Sequence, residues 1–202
     1  MKEHAASIVV KISILLGVVI FALSPTSARF GGSFSLVELR EGLVWLTGTC
    51  GVTLMTASLL FSSRLSWLHK RTKNINKGYE VHKWAGIFAM IFVVCHFLLE
   101  QVPKWLVGLD IIQKSEELES GFQFSELEIA IYQSGMFLIQ PIFYIMAAFV
   151  VIAVYRKIPH IWFVKTHKFF PILFLIAAYH AATAQLKEKW LGSAGSFLLM
   201  LV

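Results

Sequence analysis

Charge is scarce in this chain. Only 15% of its 202 residues are Asp, Glu, Lys or Arg, against a hydrophobic share of 57%. An average soluble domain is about 25% charged. Length alone would allow one or two soluble domains, but the apolar runs are long enough to span a bilayer and exclude that reading. Cysteine is nearly absent as well. Cys50 and Cys95 are the two in the chain, both inside apolar runs. Two such residues make no disulfide framework, and they read as small apolar core residues. Acidic residues are fewer than basic ones, 12 against 18, for a net charge of +6. In a soluble protein that surplus would suggest nucleic acid. Here the basic residues sit in loops between apolar runs, so topology accounts for them and no nucleic-acid partner is expected.

What is present is a series of apolar runs at Ile8–Leu23, Leu43–Leu60, Ala85–Leu99, Met136–Tyr155, Phe169–Ala184 and Gly192–Val202. They predict an all-α membrane protein, a six-transmembrane-helix bundle, as one domain over 1–202 with no soluble domain between the runs. The first run is short, contains Lys11 and is followed by "PTSA". It reads as a retained helix with Lys11 snorkelling toward the interface, with a cleaved signal peptide as the alternative. The last run has 11 residues, about 16 Å of helix against a bilayer core of about 30 Å. Either the last segment does not span or the chain is a fragment that continues beyond this helix, and a fragment is expected.

Loop charge sets an orientation. The connection after the second run carries Arg64, Lys70, Arg71, Lys73, Lys77 and Lys83, and the one after the fourth carries Arg156, Lys157, Lys165 and Lys168. The connection after the third run is mostly acidic. Lys and Arg mark the cytoplasmic side, so both basic loops and the N-terminus are expected inside and the acidic loop outside. This is the pattern of a multi-pass protein of a bacterial inner or plasma membrane, in contact with lipid.

Histidines at membrane depth are costly and usually functional. The third run and its approach hold His82 and His96, 14 residues apart; the fifth holds His167 and His180, 13 apart. Both helices run from inside to outside in this topology. His82 and His167 then share one depth and His96 and His180 another, separated by about 20 Å along the axis. A neutral imidazole is a good ligand for haem iron, and an iron with two axial histidines takes one from each side. The four histidines thus read as metal and cofactor ligands of two haems stacked between the third and fifth helices. Zinc would need more ligands than the pairs offer. Fourteen steps return to within about 40° of the start, so His82 and His96 share a face. Thirteen steps miss by about 140°, so His167 and His180 need a distortion between them or a helix tilt that lets each ring reach its own haem. Pro171 can supply the distortion. His4, His69 and His160 read as solvated. Phe88, Phe92, Phe169, Phe170 and Phe174 lie between the ligands, where helix packing and lipid contact explain them, with a shortened gap between the haems as the alternative. No catalytic side chain is assigned.

These residues resemble the ferric reductase transmembrane domain, shared by bacterial and fungal ferric reductases and the NADPH oxidases. The resemblance runs over about Leu43–Ala184 and includes "IPHIWFVKTHKFFPILFLIAAYH". It implies two b-type haems on His82, His96, His167 and His180. It further implies electrons from NAD(P)H through FAD, carried on a downstream cytoplasmic domain that this chain lacks or on a separate flavoprotein. The implied activity is a transmembrane oxidoreductase with an external electron acceptor, ferric iron or a ferric chelate first and oxygen second. Oxygen-reducing members often carry another polar residue near the outer haem; here Glu100 follows His96 by one turn and Arg40 lies near the outer end of the second helix. Two other readings stay open: a haem subunit passing electrons from a separate flavoprotein or quinol to a periplasmic reductase, and a non-redox transporter or proton path with histidines as carriers.

Overall fold

The computed structural model describes residues 3–28, 35–63, 75–111, 125–155, 157–186, 190–191 and 193–202. They form two compact units, one of residues 1–123 with 190–202 and the other of residues 124–189. The first unit holds α1 (Glu3–Ala22), the short α2 (Pro25–Ala28), α3 (Leu36–Ser62), α4 (Ile75–Gly108) and α8 (Ala194–Leu201). The second holds α5 (Glu126–Val154), α6 (His160–His167) and α7 (Phe170–Ala184).

The helices outrun the apolar stretches because polar residues start them. Ser35 caps α3: its hydroxyl accepts from the Glu38 N–H at 3.1 Å, and the Glu38 carboxylate accepts from the Ser35 N–H at 3.1 Å. Ser125 and Glu128 repeat the arrangement at the start of α5, at 3.3 and 2.8 Å. Each reciprocal pair satisfies two backbone or cap donors that the helix itself cannot. Glu126 and Glu128 also place negative charge at the positive end of the α5 dipole. α4 is 34 residues long, about 51 Å, and exceeds a bilayer core at both ends.

α3, α4 and α5 are each long and apolar enough to cross a membrane, and α6 with α7 makes a fourth span if the bent pair is counted as one. That is an all-helical, membrane-type architecture with three to four capable spans among the described residues. The apolar stretch of α1, Ala6–Ala22, is shorter, and α8 has 8 residues. On α4, Ile87, Ile91, Val94 and Leu98 are exposed along one facet, as a lipid-facing surface requires. The basic stretch 64–74 and the acidic stretch 112–124, on which the expected orientation chiefly rests, lie outside the described residues.

Within the first unit the helices meet through small residues. Val10, Leu54, Ala57, Ala85 and Ala89 form one buried cluster, with Phe88 and Phe92 packed against it. These two phenylalanines therefore do core packing. A second cluster joins Ile20, Trp190 and Leu199. There Trp190 stacks on Trp45 at 4.3 Å and donates its indole N–H to the Thr26 hydroxyl at 2.8 Å. α1 sits so close to α3 that a Cβ on Gly17 would fall 2.7 Å from the Cys50 Cα. Thr53 Oγ1 bonds across the same contact to the Ser13 carbonyl at 2.8 Å. In hydrocarbon, where apolar surface drives little association, such close approach and interhelical hydrogen bonds hold helices together.

Cys50 is buried at this contact, as expected, whereas Cys95 is exposed. Cys95 shares the outward facet of α4 with Ile91, Val94 and Leu98, so it is not a core residue.

The Gly17 contact is testable. Gly17→Val must push α3 backbone away and should destabilise the protein by about 1–3 kcal/mol, the usual range for overpacking. Gly108→Ala, where a Cβ meets nothing within 4 Å, should stay within about 0.5 kcal/mol. Thermal unfolding in detergent micelles measures both.

Candidate functional site

α3 and α4 run antiparallel, and α3 seats both histidines of α4. His82 Nδ1 lies 2.9 Å from the Ser58 carbonyl oxygen and 2.9 Å from the Ser58 hydroxyl. His96 Nδ1 lies 2.9 Å from the Val44 carbonyl oxygen. Val44 and Ser58 are 14 residues apart on α3, matching the 14 between His82 and His96 on α4. Fourteen residues make about four turns, so two seats recur on one helix face and two rings on the other.

A carbonyl only accepts, so both imidazoles carry their proton on Nδ1 and donate it to α3. The lone pair then sits on Nε2. Histidines that ligate metals characteristically donate their other ring N–H to a carbonyl or carboxylate in this way, which fixes tautomer and ring orientation. The donor set therefore fits an axial ligand to haem iron at each position. Glycines make the room. A Cβ on Gly48 would lie 3.2 Å from His96 Nδ1, and one on Gly86 would lie 3.5 Å from the Ser58 hydroxyl. Among the described residues no three His, Cys, Asp or Glu side chains gather as a metal-ion site.

Above His96, the Glu100 carboxylate is held between two cations, with Arg40 at 3.3 Å and Lys104 at 3.2 Å. The Arg40 Nε–H also donates to the Leu99 carbonyl at 2.9 Å. The two polar residues noted in the sequence, Arg40 and Glu100, are thus brought together and tie the start of α3 to α4.

In the second unit, His167 is the last residue of α6, and α7 begins at Phe170 with a bend of 43° between the two helices. Pro171 lies in the first turn of α7, where its missing N–H is tolerated. The fifth run is therefore not one straight helix. A phase count from His167 to His180 does not carry across residues 168–169, and the distortion that the 13-residue spacing required is present. His167 is flanked by Phe163 at 4.9 Å and Phe170 at 5.0 Å between ring centroids. His160 opens α6 rather than lying in a loop, and stacks on Phe163 at 5.4 Å. It is exposed. Phe169 and Phe170 also meet Phe149 of α5, and Phe174 is half-buried. His69 lies outside the described residues.

His180 is on α7 with its Nδ1 buried. The neighbouring Tyr179 hydroxyl bonds Ser134 of α5 at 2.7 Å. One turn on, Thr183 donates to the Tyr179 and His180 carbonyls at 3.0 and 3.1 Å. α5 approaches so closely here that a Cβ on Gly135 would overlap the Thr183 hydroxyl. Gly135 and Ser134 thereby fix the depth and rotation of the helix that carries His180.

Ser58, Val44, Gly48 and Gly135 were missed by sequence reasoning. Ser58 left a faint signal, as a hydroxyl in an apolar run. The Val44 contribution is a backbone carbonyl and left none.

The family model described as "Ferric reductase like transmembrane component" matches residues 47–178. The match includes His82, His96 and His167 and stops two residues short of His180. No curated protein and no solved structure matches the chain.

The Gly135 contact predicts a coupling. Gly135→Ala should cost about 1–3 kcal/mol through overpacking. Adding Thr183→Ala should recover part of that loss, so that the two substitutions are non-additive. A double-mutant cycle of thermal stability measures it; strict additivity would show that the two residues do not touch.

Proposed function

Because the chain belongs to the ferric reductase-like transmembrane family, we propose that it carries electrons across a membrane through two b-type haems. His82 and His167 would be the axial ligands of one, and His96 and His180 of the other. The observation that carries this reading is the repeated seat: two histidines on α4, 14 residues apart, each donating Nδ1–H to an α3 carbonyl as metal-ligating histidines do. Haem supplies a one-electron ferric/ferrous couple when bound. The α3 carbonyls orient the two imidazoles of α4, and the redox chemistry belongs to the cofactor.

The proposed direction follows loop charge, with the N-terminus and the basic ends cytoplasmic and the His96 end external. Reduced flavin, itself reduced by NAD(P)H, is the proposed electron source, on a downstream domain or a separate flavoprotein. Ferric iron or a ferric chelate is the proposed external acceptor, with oxygen second. The sites on His82 and His96, 14 residues apart, are separated by about 21 Å of helix axis, most of the thickness of a bilayer core.

Cofactor content tests the reading. The purified protein should contain two haems per chain by pyridine haemochrome assay, both six-coordinate by their spectra. No haem would remove the redox reading, and one haem would remove the two-site assignment. His180→Ala should lose one haem and leave the other.

Orientation is tested separately, in a Cys50→Ala, Cys95→Ala background. A cysteine at Lys157 should be protected from an impermeant thiol reagent in intact cells, and a cysteine at Glu117 should be labelled. The opposite pattern would reverse the direction of electron flow.

A further inference from the structure

We propose that the Ser58 hydroxyl is a positioning residue for His82 that lowers the reduction potential of the site His82 holds, biasing electrons toward the His96 end. The inference rests on the reading that these histidines ligate haem.

Hydroxyls in membrane helices usually bond back to their own helix. Several here do so: Ser13 to the Val9 carbonyl at 2.9 Å, Thr47 to Leu43 at 2.7 Å and Ser62 to Leu59 at 2.8 Å. Ser58 instead reaches across to α4. Its Oγ–H donates to the His82 backbone carbonyl at 3.1 Å, and its Oγ lies 2.9 Å from His82 Nδ1. With that proton turned toward the His82 carbonyl, an Oγ lone pair faces the Nδ1–H. The ring proton is therefore shared between the hydroxyl and the Ser58 carbonyl, also at 2.9 Å. Ser58 is 8% exposed, so water does not dilute the contact.

An acceptor on Nδ1–H pushes electron density toward Nε2 and makes the imidazole a stronger donor. A stronger axial donor favours ferric over ferrous iron and lowers the potential; axial ligation and its hydrogen bonds are among the protein's main levers on a haem. The equivalent seat, 14 residues earlier on α3, is Val44, which offers His96 the same carbonyl but has no side-chain hydroxyl. The two seats share one backbone device; the His82 seat adds a hydroxyl facing Nδ1, whereas at the His96 seat the nearby Thr47 hydroxyl donates to the Val44 carbonyl at 3.0 Å and competes for it. On the proposed orientation, a lower potential at His82 makes passage of an electron toward His96 more downhill.

The test uses the whole protein with its haems and optical redox potentiometry resolved into its components. Ser58→Ala keeps the carbonyl and removes only the hydroxyl. It should raise one midpoint potential and leave the other unchanged, moving the electron equilibrium between the two sites by roughly five-fold, the worth of one typical hydrogen bond. Ser58→Thr, which restores the hydroxyl, should return that component to its wild-type position. Ser62→Ala should move neither. The raised component should still be present in a His96→Ala background, which assigns it to the His82 site. If Ser58→Ala loses that haem, Ser58→Thr carries the test: a wild-type potential upholds the proposal and a raised one overturns it. Two haems in the wild type with unshifted potentials in Ser58→Ala overturn this inference alone. A wild type without haem overturns the ligand reading beneath it.

Discussion

An imidazole in hydrocarbon cannot leave its N–H without an acceptor, since an unpaired polar group there costs several kcal/mol. In this protein that requirement ties α4 to α3. Both histidines of α4 discharge it on α3 carbonyls at 2.9 Å, one near each end of the shared contact. The equal 14-residue spacing on the two helices means that neither ring can be seated without setting the register of the other. Depth, tautomer and ring orientation are consequences of one antiparallel pairing.

Close packing makes the pairing possible. Carbonyls buried in a helix can be reached from a neighbour only where side chains are small. Gly48 beside His96 and Gly86 beside Ser58 provide that access, and Gly51 lets Val93 approach to 3.4 Å of where its Cβ would be. The same economy of side chain brings α1 onto α3 at Gly17 and α7 onto α5 at Gly135. Interhelical hydrogen bonds from Thr53 to the Ser13 carbonyl and between the Ser134 and Tyr179 hydroxyls then add direction to contacts that are otherwise only close.

The readable part of this arrangement lay in side chains whose chemistry is conspicuous in an apolar run. Four histidines at spacings of 14 and 13 stood out, and so did a proline placed where a straight helix would have put His167 and His180 out of phase. The capping motifs around Ser35 and Ser125 extend the helices beyond the apolar runs, which is why hydropathy alone set their starts too late. The seats were not readable because they are made from backbone. A carbonyl exists at every residue, and nothing in the letters for Val44 marks it as the one that meets His96. Cys95 was misplaced for a related reason: hydropathy identifies a membrane helix but not which facet turns outward. The Arg40–Glu100 pairing joins residues 60 positions apart, a separation that local patterns do not bridge.

The break after His167 has an electrostatic side. α6 ends at that residue instead of running on into α7. A helix terminus carries about half an elementary charge, negative at the carbonyl end. An uninterrupted fifth helix would have spread those peptide dipoles past His167 and left the ring beside a neutral stretch of backbone. Ending there puts the negative pole of α6 next to the imidazole, and the positive pole of α7 follows at Phe170. The ring therefore lies where two helix ends meet across a bend of 43°, a junction that a straight helix does not have.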